Sequence, residues 1–151
     1  MPDARTQRGV DLGPARRRSG PPDLPVLAMI SAGGVLGALA RYGLATAFPH
    51  QPDRFPWATF TINVSGCFLI GVLMVLITET WRTHRLVRPF LGVGVLGGFT
   101  TFSTYIVDIQ HTVTAGAART ALAYLAGTLL AALAAVWAGV RLTRTITGSR
   151  S

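Results

Sequence analysis

The sequence predicts an all-α membrane protein with four transmembrane helices, the third of which is broken at mid-membrane. Half of its 151 residues are apolar and only 13% are charged. Four apolar segments are close to the roughly 20 residues that a helix needs to cross the hydrocarbon core. The third segment also collects glycines and hydroxyl residues near its centre, where lipid offers the backbone no hydrogen bonds. These observations together favour a helical bundle with one interrupted span.

The apolar pattern fixes the expected boundaries. The four predicted spans are roughly residues 26–48, 57–78, 89–110 and 119–141. We divide the chain into a basic tail (1–24), a four-helix transmembrane domain (25–143) and a short basic C-terminal tail (144–151). The first tail holds five arginines and several prolines but almost no large apolar residues, so we predict that it is disordered.

Charge and cysteine content exclude several functions. The net charge is +8, and all 14 basic residues are arginines. They lie in the tails, short loops and helix ends rather than on one face, so we expect anionic lipid headgroups and no nucleic acid as their partner. Cys67 is the only cysteine, which excludes a disulfide framework. We find no nucleophile elbow, P-loop or metal-spaced cluster and predict no enzyme. His50, His84 and His111 are predicted to be solvated loop residues.

Helix 1 carries a small-residue face and a charge. Gly33 and Gly37 are four residues apart, a spacing that lets another helix approach closely. Arg41 lies within or near the hydrocarbon region, where a charge is costly. Its guanidinium could extend along the helix to the interface, or it could face a water-filled anion pathway. The sequence leaves both interpretations open.

Helix 2 contributes Asn63, an amide in an apolar environment. Such a side chain needs partners, so it faces protein or water. Its NH2 group can donate to an anion, while its carbonyl oxygen can accept a hydrogen bond elsewhere. Bonding between helices and pore lining are therefore both possible roles for this residue.

Helix 3 contains the stretch around which the chain is organised. Glycine weakens a helix, and serine or threonine can satisfy the backbone groups that it frees. Gly97 and Gly98 precede four hydroxyl residues: Thr100, Thr101, Ser103 and Thr104. Phe102 and Tyr105 are three residues apart and are predicted to share a helix face, either for packing or to present positive ring edges to an anion.

Helix 4 combines small and polar residues. Its four-residue ladder of small side chains predicts a close packing face and consists of Gly127, Ala131, Ala135 and Gly139. Tyr124 and Thr128 lie one helical turn apart and add polar groups to the same helix.

Three motifs carry a family resemblance. They are Gly97 to Tyr105, Gly33-Gly34-x-x-Gly37-Ala38-x-x-Arg41-Tyr42, and Thr59-x-x-x-Asn63-x-x-Gly66. These motifs, and their order along the chain, resemble those of the CrcB/Fluc family of fluoride channels. The resemblance covers roughly residues 26 to 143. The resemblance implies passive fluoride export through an antiparallel dimer with two pores, in the cell membrane.

The resemblance also implies roles for individual residues. A structural sodium ion, bound and not transported, is expected on the backbone carbonyls of Gly97 and Thr100. The fluoride pathway is expected to involve Asn63, Phe102, Ser103, Thr104, Tyr105, Arg41 and Thr128. The sequence departs from the family pattern at Tyr105, where phenylalanine is usual, and at Ala132 and Ala134, where hydroxyl residues are frequent. These departures weaken the expected polar track.

Two other functions compete with the channel. A small proton-coupled multidrug exporter would have the same size and four helices, but it needs a carboxylate inside the membrane, normally on helix 1, where the only charge here is Arg41. A non-transporting membrane subunit would explain the small-residue faces. It would leave Asn63 and the hydroxyl-rich third helix without a role.

Arginine bias predicts the orientation. Eleven arginines lie on the side of the two tails and the 80–88 loop, counting Arg141 at the end of helix 4, and three lie on or near the opposite side. Since basic residues favour the cytoplasm, both termini are predicted to be cytoplasmic. This bias suggests a dimer with a related chain of opposite orientation. A homodimer of chains inserted both ways remains the alternative.

Overall fold

The computed structural model describes residues 23–80 and 85–148, and within these ranges it is helical without any β-strand. Most of the predicted basic tail (1–24), the loop residue His84 and the last three residues lie outside this description. The helices are α1 (Leu24–Ala47), α2 (Trp57–Val75), α3 (Gly97–Phe99), α4 (Ser103–Thr114) and α5 (Ala118–Thr147). Two π-helical segments, Leu76–Thr80 and Pro89–Leu96, extend α2 and precede α3.

Four helical stretches are long and apolar enough to cross a membrane, as the sequence predicts. They are Leu24–Ala47, Trp57–Glu79, Pro89–Thr114 and Ala118–Thr147. The last continues beyond the predicted end at residue 141 because its arginines find partners along the helix. Arg144 forms a two-pronged ion pair with Glu79 of the π-helical segment that extends α2, at 2.6 and 3.0 Å to Oε1. The Arg141 guanidinium lies 5.4 Å from the Trp137 ring.

The glycine face of α1 packs directly on the third span. A Cβ atom at Gly37 would overlap the carbonyl oxygen of Val95, and one at Gly33 would overlap that of Phe90. The approach is reciprocal, since a Cβ at Gly98 would overlap the carbonyl oxygen of Gly34. The predicted small-residue face is thus confirmed, and it brings α1 backbone to backbone with the residues just before the break.

Helices α2 and α5 form a second close pair. Gly71 of α2 faces the Val136 carbonyl, and Gly139 of α5 faces the Phe68 carbonyl, with no room for a Cβ in either place. A Cβ at Gly127, in contrast, would meet no atom within 4 Å. Within one chain, the backbone-to-backbone contact of the predicted ladder is therefore found at Gly139 and not at Gly127.

The bundle buries several polar side chains while it exposes large apolar ones. Leu129, Leu130 and Leu133 are more than half exposed, as expected of side chains that face lipid or a partner. The buried polar side chains are Thr59, Asp108, Thr112, Thr128 and Thr143. A membrane helix that buries hydroxyls and a carboxylate while exposing leucines directs its polar groups towards the bundle interior.

Candidate functional site

The third span is interrupted between α3 and α4. Thr100 adopts an extended conformation with φ −77° and ψ 154°, and regular helix resumes at Ser103. The N–H of Thr100 still donates to the Leu96 carbonyl at 3.0 Å. The next N–H, that of Thr101, donates instead to the Asn63 side chain. The carbonyl of Gly97, which Thr101 would bond in a continuous helix, is released from that helical bond.

Asn63 holds this interruption from α2. Its Nδ2 donates to the Thr101 carbonyl at 2.9 Å, and its Oδ1 accepts the Thr101 N–H at 2.9 Å. The Asn63 amide thus takes the place of both hydrogen-bond partners that the Thr101 backbone would have in a continuous helix. Its second Nδ2–H remains for another acceptor. Close approach is possible because Gly66, one turn later, has no Cβ to overlap the Thr100 methyl group.

Arg41 holds the same interruption from α1. Its Nε donates to the Gly98 carbonyl at 3.1 Å in a partly buried position. The carbonyls at the end of a helix carry partial negative charge and lack helical donors, so a guanidinium there is favourable. The packing of Gly34 against Gly98 brings the two helices close enough for this bond. The side chain thus lies against protein at the break.

Three hydroxyls cluster where α4 begins. Thr101 Oγ1 accepts the Thr104 N–H at 3.2 Å and lies 3.1 Å from Thr104 Oγ1. It also lies 3.3 Å from Ser103 Oγ. The hydroxyl of Thr101 therefore satisfies one of the free N–H groups at the start of α4. The hydroxyls gather at the positive end of a 12-residue helix, which favours negative charge.

The two aromatic residues near the break occupy different environments. Phe102 is 75% exposed, whereas Tyr105 is only 9% exposed. The Tyr105 hydroxyl donates to the Leu125 carbonyl of α5 at 2.7 Å, and its ring stands edge-on to Tyr124 with centroids 5.1 Å apart. Phe102 presents its ring outward from the chain, and Tyr105 joins α4 to α5.

A cavity of about 370 Å³ lies beside the interruption. Its lining brings together most of the site residues predicted from the sequence: Asn63, Gly97, Thr100, Phe102, Tyr105 and Thr128. Arg41, Ser103 and Thr104 are outside this lining, at the break itself. Thr128 lines the cavity, and its buried hydroxyl has no hydrogen-bond partner. A buried hydroxyl without a partner is costly and can bind a polar ligand.

Sequence reasoning missed a polar cluster around Asp108, near the middle of α4. His50 is not simply a solvated loop residue, because its Nε2 lies 3.7 Å from Asp108 Oδ1. The buried Tyr124 hydroxyl donates to Asp108 Oδ2 at 3.5 Å, and the Phe55 ring packs edge-on against Tyr124 at 5.2 Å. The spacing of Tyr124 and Thr128 was visible in the sequence. The link to His50 is long-range and left no local pattern.

Side-chain metal ligands are scarce in the described part of the chain. No group of three His, Cys, Asp or Glu side chains within residues 23–80 and 85–148 is placed to hold a metal ion. A cation at this site would therefore depend on backbone carbonyls such as those of Gly97 and Thr100. Oxygen ligands of this kind suit a hard cation.

The four spans define a small multi-pass membrane protein. Its interrupted third helix and the polar groups beside the cavity are features of a transport pathway. A family model described as "CrcB-like protein, Camphor Resistance (CrcB)" matches residues 28–140. The chain therefore belongs to the CrcB family, as its three motifs suggested.

Curated relatives carry consistent names. "Fluoride-specific ion channel FluC 2" of Nocardia farcinica is 58% identical over 135 residues, which cover 89% of this chain and 96% of the relative. FluC 2 of Streptomyces avermitilis is 62% identical over 117 residues, or 77% and 74% of the two chains. FluC 1 of Streptomyces coelicolor is 57% identical over 113 residues, or 75% and 73%. These proteins are named as ion channels and not as enzymes, and membership of their family displaces the exporter alternative.

Proposed function

We propose that this chain is a fluoride-specific ion channel of the cell membrane that lowers cytoplasmic fluoride. The observation that carries the proposal is the interrupted third span, held open by Asn63 beside a cavity with the unpartnered Thr128 hydroxyl. The names of relatives that are 57 to 62% identical support it. Fluoride enters cells as its neutral acid and dissociates inside. A passive anion path, with the membrane negative inside, then suffices to expel it.

Selectivity depends on replacing water around a small, strongly hydrated anion. A pathway achieves this with donors at fixed positions. Asn63, with one N–H left to donate, and Thr128, with an unpartnered hydroxyl, line one cavity. Phe102 can add the positive edge of its ring. Ser103 and Thr104 extend the set of donors along the start of α4, and Arg41 adds a positive charge on the other side of the break.

The interruption is proposed to lie near the bilayer centre. The part of the span before it, Pro89–Phe99, and the part after it, Ser103–Thr114, have similar lengths. A break at mid-membrane is tolerated only where the backbone is covered by protein or lines a cavity. Asn63, Arg41 and the cavity meet that condition.

We further propose that the channel is an antiparallel dimer, formed with itself or with a related chain of opposite orientation. The exposed Phe102 ring and the open face at Gly127 are surfaces that a second chain could cover. The arginine bias supports cytoplasmic termini and thus a related partner. Introduced cysteines in the tails of a Cys67→Ala background, labelled in intact cells, test this. Substantial labelling from outside would mean that the chain inserts both ways and needs no other partner.

A structural sodium ion at the dimer centre is proposed on the carbonyls of Gly97 and Thr100. The Gly97 carbonyl lacks its helical partner, because the Thr101 N–H donates to Asn63. The neighbouring Gly98 carbonyl is taken by Arg41, and the choice of Gly97 and Thr100 as the pair of ligands follows the family resemblance. Replacement of sodium by a large organic cation should reduce flux and dimer stability. Equal flux and equal stability in both media would refute this site.

The function itself is tested with purified protein in liposomes. Vesicles loaded with potassium fluoride and supplied with a potassium ionophore should release fluoride, while matched vesicles loaded with chloride should not. Release of both anions at similar rates would refute selectivity. Fluoride release equal to that of protein-free vesicles would refute the channel.

A further inference from the structure

We propose that His50 is a positioning residue for anion passage, which in its protonated form compensates the charge of Asp108 and so makes fluoride flux depend on pH. The proposal rests on the proposed channel function and adds a regulation to it. His50 lies in the loop between α1 and α2, and Asp108 lies on α4, so the contact joins two elements that are distant in sequence.

The His50 ring lies between two acceptor oxygens. Its Nδ1 lies 3.1 Å from the Gln51 carbonyl oxygen, which can only accept, so Nδ1 carries a proton. Its Nε2 faces Asp108 Oδ1 at 3.7 Å. In a neutral imidazole with the proton on Nδ1, Nε2 would turn a lone pair towards a carboxylate. Only the imidazolium has a donor on both nitrogens. Gln51 and Asp108 are thus satisfied together when His50 is charged.

The carboxylate is buried and close to the candidate pathway. The side chain of Asp108 is 10% exposed, against 25% for His50. Asp108 follows Tyr105 by one turn of α4, and the Tyr124 hydroxyl bonds its second oxygen. Tyr124 in turn contacts the Tyr105 ring, which lines the cavity at the break. A line of polar and aromatic groups therefore runs from the cavity to Asp108.

His50 connects this line of polar and aromatic groups to solvent. An open cleft of about 540 Å³ is lined by Pro49, His50, Gln51, Arg54, Phe55 and Trp57. His50 thus stands between this cleft and the buried Asp108. An anion that leaves the cavity along α4 and α5 would pass a carboxylate first and an imidazole second.

The other charged groups around this contact are few in the described residues. In the loop, Asp53 and Arg54 pair with each other at 4.0 Å. Helix α4 adds the exposed His111 and α5 the exposed Arg119, while α2 contributes the uncharged Thr59. Of the ion pairs found in residues 23–80 and 85–148, the only one that involves Asp108 is with His50. Loss of the His50 proton therefore leaves the carboxylate charge without its cation.

The direction of the pH effect follows from this charge. An uncompensated carboxylate repels an anion, most strongly where burial limits screening. Histidine is the side chain that ordinarily changes charge between about pH 5 and about pH 8. Flux should be high at the acidic end of this range, where the imidazolium cancels the Asp108 charge, and should decrease as the pH rises.

The experiment measures fluoride efflux from liposomes with equal pH inside and outside, from about pH 5.5 to about pH 8. Protein-free vesicles at each pH correct for leakage of the neutral acid. Wild-type flux should decrease roughly five- to tenfold over this range, the size expected of one partly screened charge. His50→Gln should give low flux at every pH. His50→Lys, with a permanent charge, should give high flux at every pH. His111→Gln is the matched control and should keep the wild-type profile.

The outcomes separate this proposal from the channel function. Fluoride flux in the wild type that is independent of pH, or a wild-type profile retained in His50→Gln, overturns the role of His50 and leaves the channel intact. Wild-type protein that passes no fluoride at any pH overturns the channel itself. If His50→Gln does not fold, His50→Lys carries the test, because a merely structural role predicts no restored flux at high pH.

Discussion

Replacement of Asn63 by alanine should abolish fluoride flux while leaving a folded protein. The substitution removes two hydrogen bonds of 2.9 Å that join α2 to the Thr101 backbone. Each contributes about 1 kcal/mol net, and an unsatisfied backbone group costs about 1–3 kcal/mol when buried. Because the site is partly buried and one group can find another partner, we expect the free energy of unfolding to decrease by about 2–4 kcal/mol.

The functional loss should exceed what this destabilisation explains. Without Asn63, the Thr101 N–H can donate to the Gly97 carbonyl and the helix can continue through the break. The cavity would then lose an amide donor and its shape together. Asn63→Asp should also fail, since a carboxylate oxygen would face the Thr101 carbonyl at 2.9 Å and a buried negative charge would oppose the anion.

The assay combines fluoride efflux from liposomes with thermal unfolding in detergent. Ser65→Ala is the matched control on the same helix, because the Ser65 hydroxyl bonds only its own helix, at the carbonyls of Thr61 and Ile62. It should keep both stability and flux. Wild-type efflux in Asn63→Ala, at equal amounts of reconstituted protein, would refute the role of this amide at the break.

The remaining predictions concern helix packing and the aromatic residues. Gly37→Ala should lower the free energy of unfolding by about 1–3 kcal/mol, because the added Cβ overpacks against the Val95 carbonyl. Gly34→Ala, whose Cβ meets nothing within 4 Å, should leave it unchanged. Equal thermal stability of the two variants would contradict the packing argument. Phe102→Ile should reduce flux steeply without unfolding, because it keeps apolar bulk and removes the ring edge. Tyr105→Phe should keep the fluoride flux and lower the free energy of unfolding by about 1 kcal/mol, because its hydrogen bond to the Leu125 carbonyl is lost. Unchanged flux in Phe102→Ile would mean that the Phe102 ring only packs.

Much of the fold could be predicted from local sequence. The four spans follow from hydropathy over windows of about 20 residues. The close approach at Gly33 and Gly37 follows from their four-residue spacing, which places both on one helix face. The break could be anticipated because Gly97, Gly98 and the following hydroxyls weaken the helix and can satisfy freed backbone groups. Each of these signals is local and needs no knowledge of a partner helix.

The site itself was less predictable because its contacts are long-range. Phe102 and Tyr105 are three residues apart, and this spacing predicts a shared face only inside a continuous helix. Phe102 immediately precedes the first residue of α4, and the two rings do share a face, with centroids 5.9 Å apart beside one cavity. The spacing does not predict, however, that Phe102 is exposed while Tyr105 is buried. His50 was missed for a related reason, since nothing near it in the loop indicates that Asp108 lies within 3.7 Å.

The break therefore depends on tertiary structure as much as on composition. Glycine and threonine permit an interruption at Thr101, yet a continuous helix would satisfy the same backbone groups with equal ease. What favours the open form is a pair of side chains from two other helices, Arg41 on the Gly98 carbonyl and Asn63 on both polar groups of Thr101. Their reach is set by the close packing of α1 on the third span at Gly33, Gly37 and Gly98, and by Gly66 of α2. The glycines of α1 and α2 thus contribute to the pathway without lining it, because they bring the polar side chains close enough to hold the third span open.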